Sequence, residues 1–98
     1  MKIEREEKNH RGAFYVEQDK HWLAEMAYGI TSDKMIIYHT EVSDALKGQH
    51  VGQELVKAGV EYARGHSFKI VPLCPFAKAI IDKTEAFQDV LDPEYLTK

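Results

Sequence analysis

The first half of the chain alternates apolar and polar residues with the period of β-strands. Between residues 22 and 30, one face would carry Trp22, Ala24, Met26, Tyr28 and Ile30. Such alternation is typical of a strand with one buried face. Residues 12–18 and 34–42 are rich in β-branched and aromatic side chains, and polar turns separate them from this strand. We predict three antiparallel strands, to which residues 1–8 could add an edge strand.

The second half changes to the period of a helix. From Val51 to about Arg64, apolar residues recur on one face, with charged residues opposite. Gly65 is the predicted cap of this helix. Residues 68–73 form another strand candidate, and Pro75 is typical of the first turn of a second helix. Because a helix crossover normally joins parallel strands, we predict a mixed α/β (α+β) sheet whose last strand splays from the third if a ligand passes between them.

Two segments are less regular. Ser43 and Asp44 start a short turn or helical stub before the long helix. Residues 84–98 contain Pro93 between apolar residues, and they either fold back as a short helix or fray.

Length and composition restrict the class of protein. The 98 residues fit one domain, 1–98, expected to be a monomer. The net charge of −3 lacks the basic surface of a nucleic-acid-binding protein, and the apolar runs are too short to span a membrane. The single cysteine, Cys74, cannot form an internal disulfide, and no apolar leader is visible at the start. We therefore expect a cytoplasmic protein.

The segment Lys47–Gln53 joins a strand to a helix and contains Gly48 and Gly52. Small residues let a backbone approach a ligand closely, and the unpaired N–H groups of a helix start favour phosphate. A turn that needs glycine only for its geometry fits equally well. The glycine spacing excludes a P-loop and a dinucleotide-binding fingerprint.

Here the sequence resembles a known family. The stretches HTEVSDALKGQHVGQELVKAGVEYAR and KIVPLCPFAKAII look like the small, stand-alone GCN5-related N-acetyltransferases. The family signature Arg/Gln-x-x-Gly-x-Gly/Ala is similar to residues 47–52: Gly52 matches, Lys47 replaces Arg or Gln, and His50 replaces the middle glycine. The segment VPLCPFA is the more specific match.

The resemblance implies a minimal acetyltransferase fold, with antiparallel N-terminal strands, a strand–helix–strand unit with a splayed parallel pair, and a C-terminal helix. It also implies that acetyl-CoA lies between the splayed strands, with its pyrophosphate on the N–H groups of residues 47–53. The implied acetyl-CoA-binding residues are Thr40, Glu41, Val42, Lys47, Gly48, Gln49, His50, Val51, Gly52, Gln53, Cys74, Phe76 and Lys78. The usual family members have further elements that wall the acceptor site, and this chain lacks them.

Three residues are candidates for catalysis. By the resemblance Cys74 lies near the acetyl thioester, where it either carries the acetyl group covalently or only lines the pocket; a plain buried cysteine is the alternative. Direct transfer needs a base and an acid. His39 and Glu41 share one face of their strand and are candidate bases, or else an ordinary sheet histidine and a solvated glutamate.

The remaining candidates are weaker. The tyrosine that is the usual acid of the family is missing from residues 75–83, and Tyr95 lies too far along the chain to place. Lys78 and Lys83 either bind the 3′-phosphate of CoA or belong to a solvated face. The histidines and Cys74 show no spacing typical of metal ligands, so we expect no metal site.

Together these features predict an N-acetyltransferase that moves an acetyl group from acetyl-CoA to an unidentified amine. Two alternatives stay open. The small size and the missing tyrosine favour a non-enzymatic acyl-CoA-binding module. An unrelated α/β interaction domain would use Gly48 and Gly52 only to shape a turn.

Overall fold

The computed structural model describes residues 2–95, which form one five-stranded sheet with its strands in chain order. The strands are β1 (Glu4–Lys8), β2 (Arg11–Gln18), β3 (His21–Thr31), β4 (Lys34–Val42) and β5 (Lys69–Pro72). The first four strands pair antiparallel, and β5 pairs parallel to β4. The predicted mixed sheet is confirmed, including the edge strand near the start.

Two α-helices follow β4 and β5: α1 (Val51–Gly65) and α2 (Pro75–Asp82). Short 3₁₀ segments span Asp44–Leu46, Glu85–Val90 and Pro93–Tyr95. Of the two expectations for the region after α2, folding back as short helical segments is therefore the one observed in its described part. The predicted cap was wrong by one residue, because Gly65 is still helical and His66 follows it as the cap.

The core lies between one face of the sheet and the two helices, with α1 contributing most of the buried helical residues. Met26 and Met35 on the strands are fully buried, together with Leu55 and Val60 on the helix. Gly59 lets this helix approach the sheet, because a Cβ there would lie 2.6 Å from Cε of Met26. The core therefore covers only the face of the sheet that α1 contacts.

One residue of β3 was placed on the wrong face by simple alternation. Val16 pairs with Ala24 and Glu17 with Trp22, so Leu23 is an extra residue that bulges from the ladder. The bulge turns Trp22 away from the core, and its side chain is 38% exposed. An irregularity of one residue reverses the faces on its far side.

The C-terminal segment is tied to the sheet by a buried carboxylate. The Asp92 side chain accepts hydrogen bonds from Nζ of Lys34 and from the backbone N–H of Glu94, and its backbone N–H donates to O of Ile70 at 2.8 Å. The hydrogen bond from Lys34 is the main reason why the pKa of Asp92 lies below its ordinary value. This ion pair holds the last described residues against β4 and β5.

Candidate functional site

The two parallel strands separate halfway along β4. Their pairing runs from Lys34 opposite Lys69 to Ile37 opposite Pro72 and then ends. The N–H groups of Leu73 and Cys74 both donate to O of Ile37, at 3.0 and 3.1 Å, and the chain then turns into α2. From Tyr38 onward β4 has a strand on only one side among the described residues, so the predicted splay is confirmed.

A bulge in β4 decides which side chains border this gap. Ile37 pairs with Tyr28 and His39 with Ala27, which leaves Tyr38 as the extra residue. Bulges of this kind redirect side chains and are common beside active sites.

The three candidate catalytic residues are divided by the sheet. Thr40 pairs with buried Met26 and so faces the helices, and its Oγ1 accepts a hydrogen bond from Sγ of Cys74 at 3.6 Å. Cys74 is only 4% exposed. His39 and Glu41 are exposed and lie on the opposite face. Their alternation predicted that they share a face, though not which one. The gap therefore has a thiol on one side and an imidazole and a carboxylate on the other.

A groove of about 300 Å³ lies where α1 begins, on the helical side of the gap. Its lining residues are Val42, Leu46, Lys47, Gly48, His50, Val51, Gly52, Gln53 and Phe76. All of them except Leu46 are among the acetyl-CoA-binding residues that the resemblance implies. Leu46 is a buried apolar residue directly before Lys47, at the edge of the signature segment, which was the available signal for it.

The backbone around the groove leaves several N–H groups for a ligand. The N–H groups of Lys47 and Gln49 donate to O of Asp44 and Leu46, at 3.1 and 3.2 Å, so they are already used. The N–H groups of Val51, Gly52 and Gln53 precede the first helical hydrogen bond, which Glu54 donates to O of His50 at 3.1 Å, so they have no intrahelical partners. Phosphate binding at this loop would therefore rest on the start of α1 more than on the whole of residues 47–53.

His50 stands immediately before α1 in the left-handed conformation, with φ of 58°. Gly48 also has a positive φ, 83°. Glycine adopts this region freely, and histidine is one of the few other residues enriched there. The replacement of the signature glycine by His50 therefore preserves the turn at some cost in backbone strain.

Gly52 has a structural role beside any role in binding. A Cβ at this position would lie 2.5 Å from Cζ of Phe76, so the glycine lets the start of α2 pack on the start of α1. The Phe76 ring remains 43% exposed and lines the groove.

The other implied residues lie outside this groove. The Lys78 ammonium donates to the two carboxylate oxygens of Asp82 at 2.7 and 2.6 Å, so phosphate would have to compete with that pair. Lys83 lines a neighbouring cavity of about 230 Å³ that also contains Lys57 and shares Gln53 with the groove. Sequence reasoning missed Lys57, because nothing along the chain connects it with Lys83. Tyr95 packs against the core.

A third cavity, of about 200 Å³, lies at the ends of β3 and β4. Trp22, Glu25, Glu41 and Ser43 are among its lining residues. Glu25 and Glu41 are direct cross-strand partners. Neither carboxylate forms an ion pair or a hydrogen bond with any residue from 2 to 95.

Residues 2–95 lack two kinds of feature. They contain no group of three or more His, Cys, Asp or Glu residues that could hold a metal ion. Within the same range, no helix has both the length and the apolar character that crossing a bilayer demands.

Comparison with known proteins agrees with this geometry. The sequence profile of the GCN5-related N-acetyltransferases matches residues 13–90. The chain is also similar to a GCN5-like protein from Staphylococcus aureus solved by NMR, with 37% identity and a TM-score of 0.69 over 91% of this chain and 87% of that one. Among curated proteins there is no match.

Two larger enzymes share the fold alone. A ribosomal-protein-alanine N-acetyltransferase from Brucella melitensis has 13% identity and a TM-score of 0.61, over 87% of this chain and 64% of that enzyme. An aminoglycoside acetyltransferase from an uncultured soil sample has 17% identity and a TM-score of 0.56, over 66% of this chain and 47% of that enzyme.

Proposed function

The chain belongs to the GCN5-related N-acetyltransferases, and on that basis we propose that it transfers an acetyl group from acetyl-CoA to an amine. One observation carries the proposal: the signature residues line a groove that leads into the gap between β4 and β5. The free edge of β4 beyond Tyr38 offers backbone groups to the amides of a pantetheine arm. We also propose a cytoplasmic location, because Cys74 is a free, buried thiol.

The groove suits the acidic part of acetyl-CoA. The N–H groups at the start of α1 and the positive end of the helix dipole favour a pyrophosphate. Lys47 lines the same groove and adds a positive charge. We assign the 3′-phosphate to the neighbouring cavity, where Lys57 and Lys83 lie together, rather than to Lys78, whose ammonium is paired with Asp82.

The chemistry needs a base on the side from which the amine arrives. The ammonium loses one proton, its nitrogen forms a bond to the acetyl carbon, the carbon–sulfur bond breaks, and the sulfur of CoA takes up a proton. His39 and Glu41 border the gap on the face opposite the helices, so we assign the base to this pair.

Cys74 lies on the helical side and has two possible roles. In direct transfer it lines the pocket, with its thiol held by Thr40. In a covalent route Sγ loses its proton and bonds to the acetyl carbon, the bond from that carbon to the sulfur of CoA breaks, and CoA leaves as the thiol. The amine nitrogen then attacks the same carbon, the bond to Sγ breaks, and the proton that the amine loses restores the Cys74 thiol. Cys74→Ala separates these routes, because it abolishes only the covalent one. Mass spectrometry checks for acetylated Cys74 in protein that has been mixed with acetyl-CoA and then quenched in acid.

The experiment that tests the function is an amide NMR titration with CoA and then acetyl-CoA, followed by an amine screen. We expect shifts at Glu41, Val42, Cys74 and residues 47–53, and turnover with at least one amine. Shifts without turnover of any amine would support an acyl-CoA-binding module. No shifts at millimolar ligand would contradict both, and the glycines would then serve the turn alone.

A further inference from the structure

The two edges of the sheet differ in how they are covered. At one edge, Ile70 on β5 pairs with Leu91, and the N–H of Asp92 donates to O of Ile70, so the C-terminal segment covers part of that strand. At the other edge, β1 pairs with β2 and has no neighbour on its outer side among residues 2–95. The outer side of β1 is therefore open to pairing with another strand.

The hairpin between β1 and β2 fixes which backbone groups of β1 point outward. A turn of two residues, both with positive φ, joins Lys8 to its strand partner Arg11. In such a hairpin the pair that flanks the turn is hydrogen-bonded, and so is every second pair beyond it. The backbone N–H and C=O groups of Arg5 and Glu7 therefore point away from β2, where no strand within residues 2–95 meets them.

The charges along β1 are arranged so that the strand complements itself. All of its residues are charged, and all are exposed except the half-buried first one: Glu4, Arg5, Glu6, Glu7 and Lys8. A second copy that pairs antiparallel about Glu6 places Glu4 opposite Lys8. The same register places Arg5 opposite Glu7, and the two-fold axis repeats both contacts. Only the contact of Glu6 with its own copy then joins like charges.

The backbone and the charges favour the same register. Pairing about Glu6 brings the outward N–H and C=O groups of Arg5 and Glu7 together, so they complete a ladder of hydrogen bonds. The next registers that the backbone allows are shifted by two residues. One of them opposes Arg5 to its own copy and Glu4 to Glu6, and the other opposes Glu7 to its own copy. Like charges directly opposite each other destabilise a sheet, so the register about Glu6 is preferred.

Two of the charged side chains of β1 are already ordered by aromatic residues. The Arg5 guanidinium lies over the Tyr62 ring, 4.4 Å from its centroid, and donates to the Tyr28 hydroxyl at 3.0 Å. The Glu7 carboxylate accepts hydrogen bonds from the hydroxyls of Tyr28 and Tyr62, at 2.8 and 3.2 Å. It also accepts from Arg5 at 3.1 Å. Because groups that are ordered beforehand lose less entropy on association, this cation and this anion favour pairing with their counterparts in a second copy.

We propose that β1 is an interaction surface for a second copy of this chain, and that the resulting dimer joins the two five-stranded sheets edge to edge. This pairing departs from the monomer that the chain length led us to expect. The strand has only five residues, whereas a standard interface buries about 800 Å² on each partner, so the dimer is weak and forms at high protein concentration. Since β1 and the gap beside β5 lie at opposite edges of the sheet, both copies keep the groove accessible.

The test reverses charges at the two ends of β1 and then mixes the variants. Glu4→Lys places positive charges at both ends, and Lys8→Glu places negative charges at both, so each variant repels its own copy but complements the other variant. Neither native side chain forms an ion pair within residues 2–95. The matched controls are Glu61→Lys and Lys20→Glu, at exposed positions outside β1. Analytical ultracentrifugation at low salt measures average mass against protein concentration, and circular dichroism checks that every variant is folded.

We expect the average mass of the wild type to rise from that of one chain toward that of two, and added salt to reverse the rise. Glu4→Lys and Lys8→Glu should each weaken the dimer about tenfold, because two contacts per dimer change from attraction to repulsion. Their equimolar mixture and both controls should dimerise as the wild type does. A wild type that stays monomeric at millimolar concentration would overturn the proposal. So would a dimer that neither variant weakens, or a mixture that associates no better than its components.

Discussion

The two sides of the sheet at the free part of β4 are built in different ways. On the helical side, the groove consists mainly of residues 46–53, which are neighbours along the chain. On the face opposite α1, neighbouring residues come from several strands, and only the register brings Ala13, Ala27 and His39 together. A local motif can be found by spacing, whereas a site assembled by strand pairing needs the exact register.

The largest expected effect comes from a substitution in the groove on the helical side of the sheet. Gly52→Val places a branched side chain where the Phe76 ring lies, so it should cost about 1–3 kcal/mol of unfolding free energy. It should also weaken acetyl-CoA binding at least about tenfold, a difference of about 1.4 kcal/mol. Calorimetry measures binding and urea denaturation measures stability. Gly65→Val is the control, because nothing lies within 4 Å of a Cβ there. Equal affinity in the two variants would contradict the assignment of the groove.

The next effect concerns the ion pair between Asp92 and Lys34, which ties the C-terminal segment to the sheet. The folded pKa of Asp92 lies below its ordinary value of about 4, so its ion pair with Lys34 stabilises the fold above that pH and is lost as the pH falls through the folded pKa. Asp92→Asn should lower stability at neutral pH and flatten the loss of stability in acid. Urea denaturation across a pH series measures this, with Asp19→Asn in an exposed turn as the control. If the stability of Asp92→Asn falls with decreasing pH as steeply as that of the wild type, the ion pair does not stabilise the fold.

A smaller effect tests the turn before α1. An L-residue at a left-handed position is strained by about 1 kcal/mol, so His50→Gly should raise the unfolding free energy by up to that amount. Ser67→Gly, at φ of 59° after α1, should give a similar gain away from the groove. If backbone N–H groups hold the pyrophosphate, acetyl-CoA affinity stays at the wild-type value in both variants. A selective loss of affinity in His50→Gly would instead assign a ligand contact to the imidazole.

The smallest effect concerns Glu25 and Glu41, which are paired on the face of the sheet opposite α1. Glu25→Gln removes a like-charge contact with Glu41 and should raise the unfolding free energy by about 0.2–1 kcal/mol at neutral pH. The gain should vanish at a pH where both carboxylates are protonated. Thermal unfolding at the two pH values measures it, with Glu61→Gln as the control. Loss of stability in Glu25→Gln would mean that the carboxylate has a structural partner and is not held for a ligand.

Much of the fold could be predicted from the sequence, because periodicity reports local structure directly. The order of the strands and both helices followed from such patterns. The residues around Gly48 and Gly52 were implied by the family resemblance, since their spacing alone fits a plain turn equally well. The position of Trp22 could not be predicted, since the bulge at Leu23 leaves no mark in composition. Lys57 and Lys83 line one cavity because α1 packs beside the end of α2. The pattern of residues along the chain does not predict that packing.

The central claim is that acetyl-CoA occupies the groove at the start of α1 and the gap beyond Tyr38. The most direct test adds acetyl-CoA to the protein and follows the amide NMR signals of every residue. The account predicts shifts at Val42, Cys74 and residues 47–53, while the signals of the distant strand β1 stay in place. Shifts confined to residues away from the groove and the gap, or no shifts at millimolar acetyl-CoA, would contradict it.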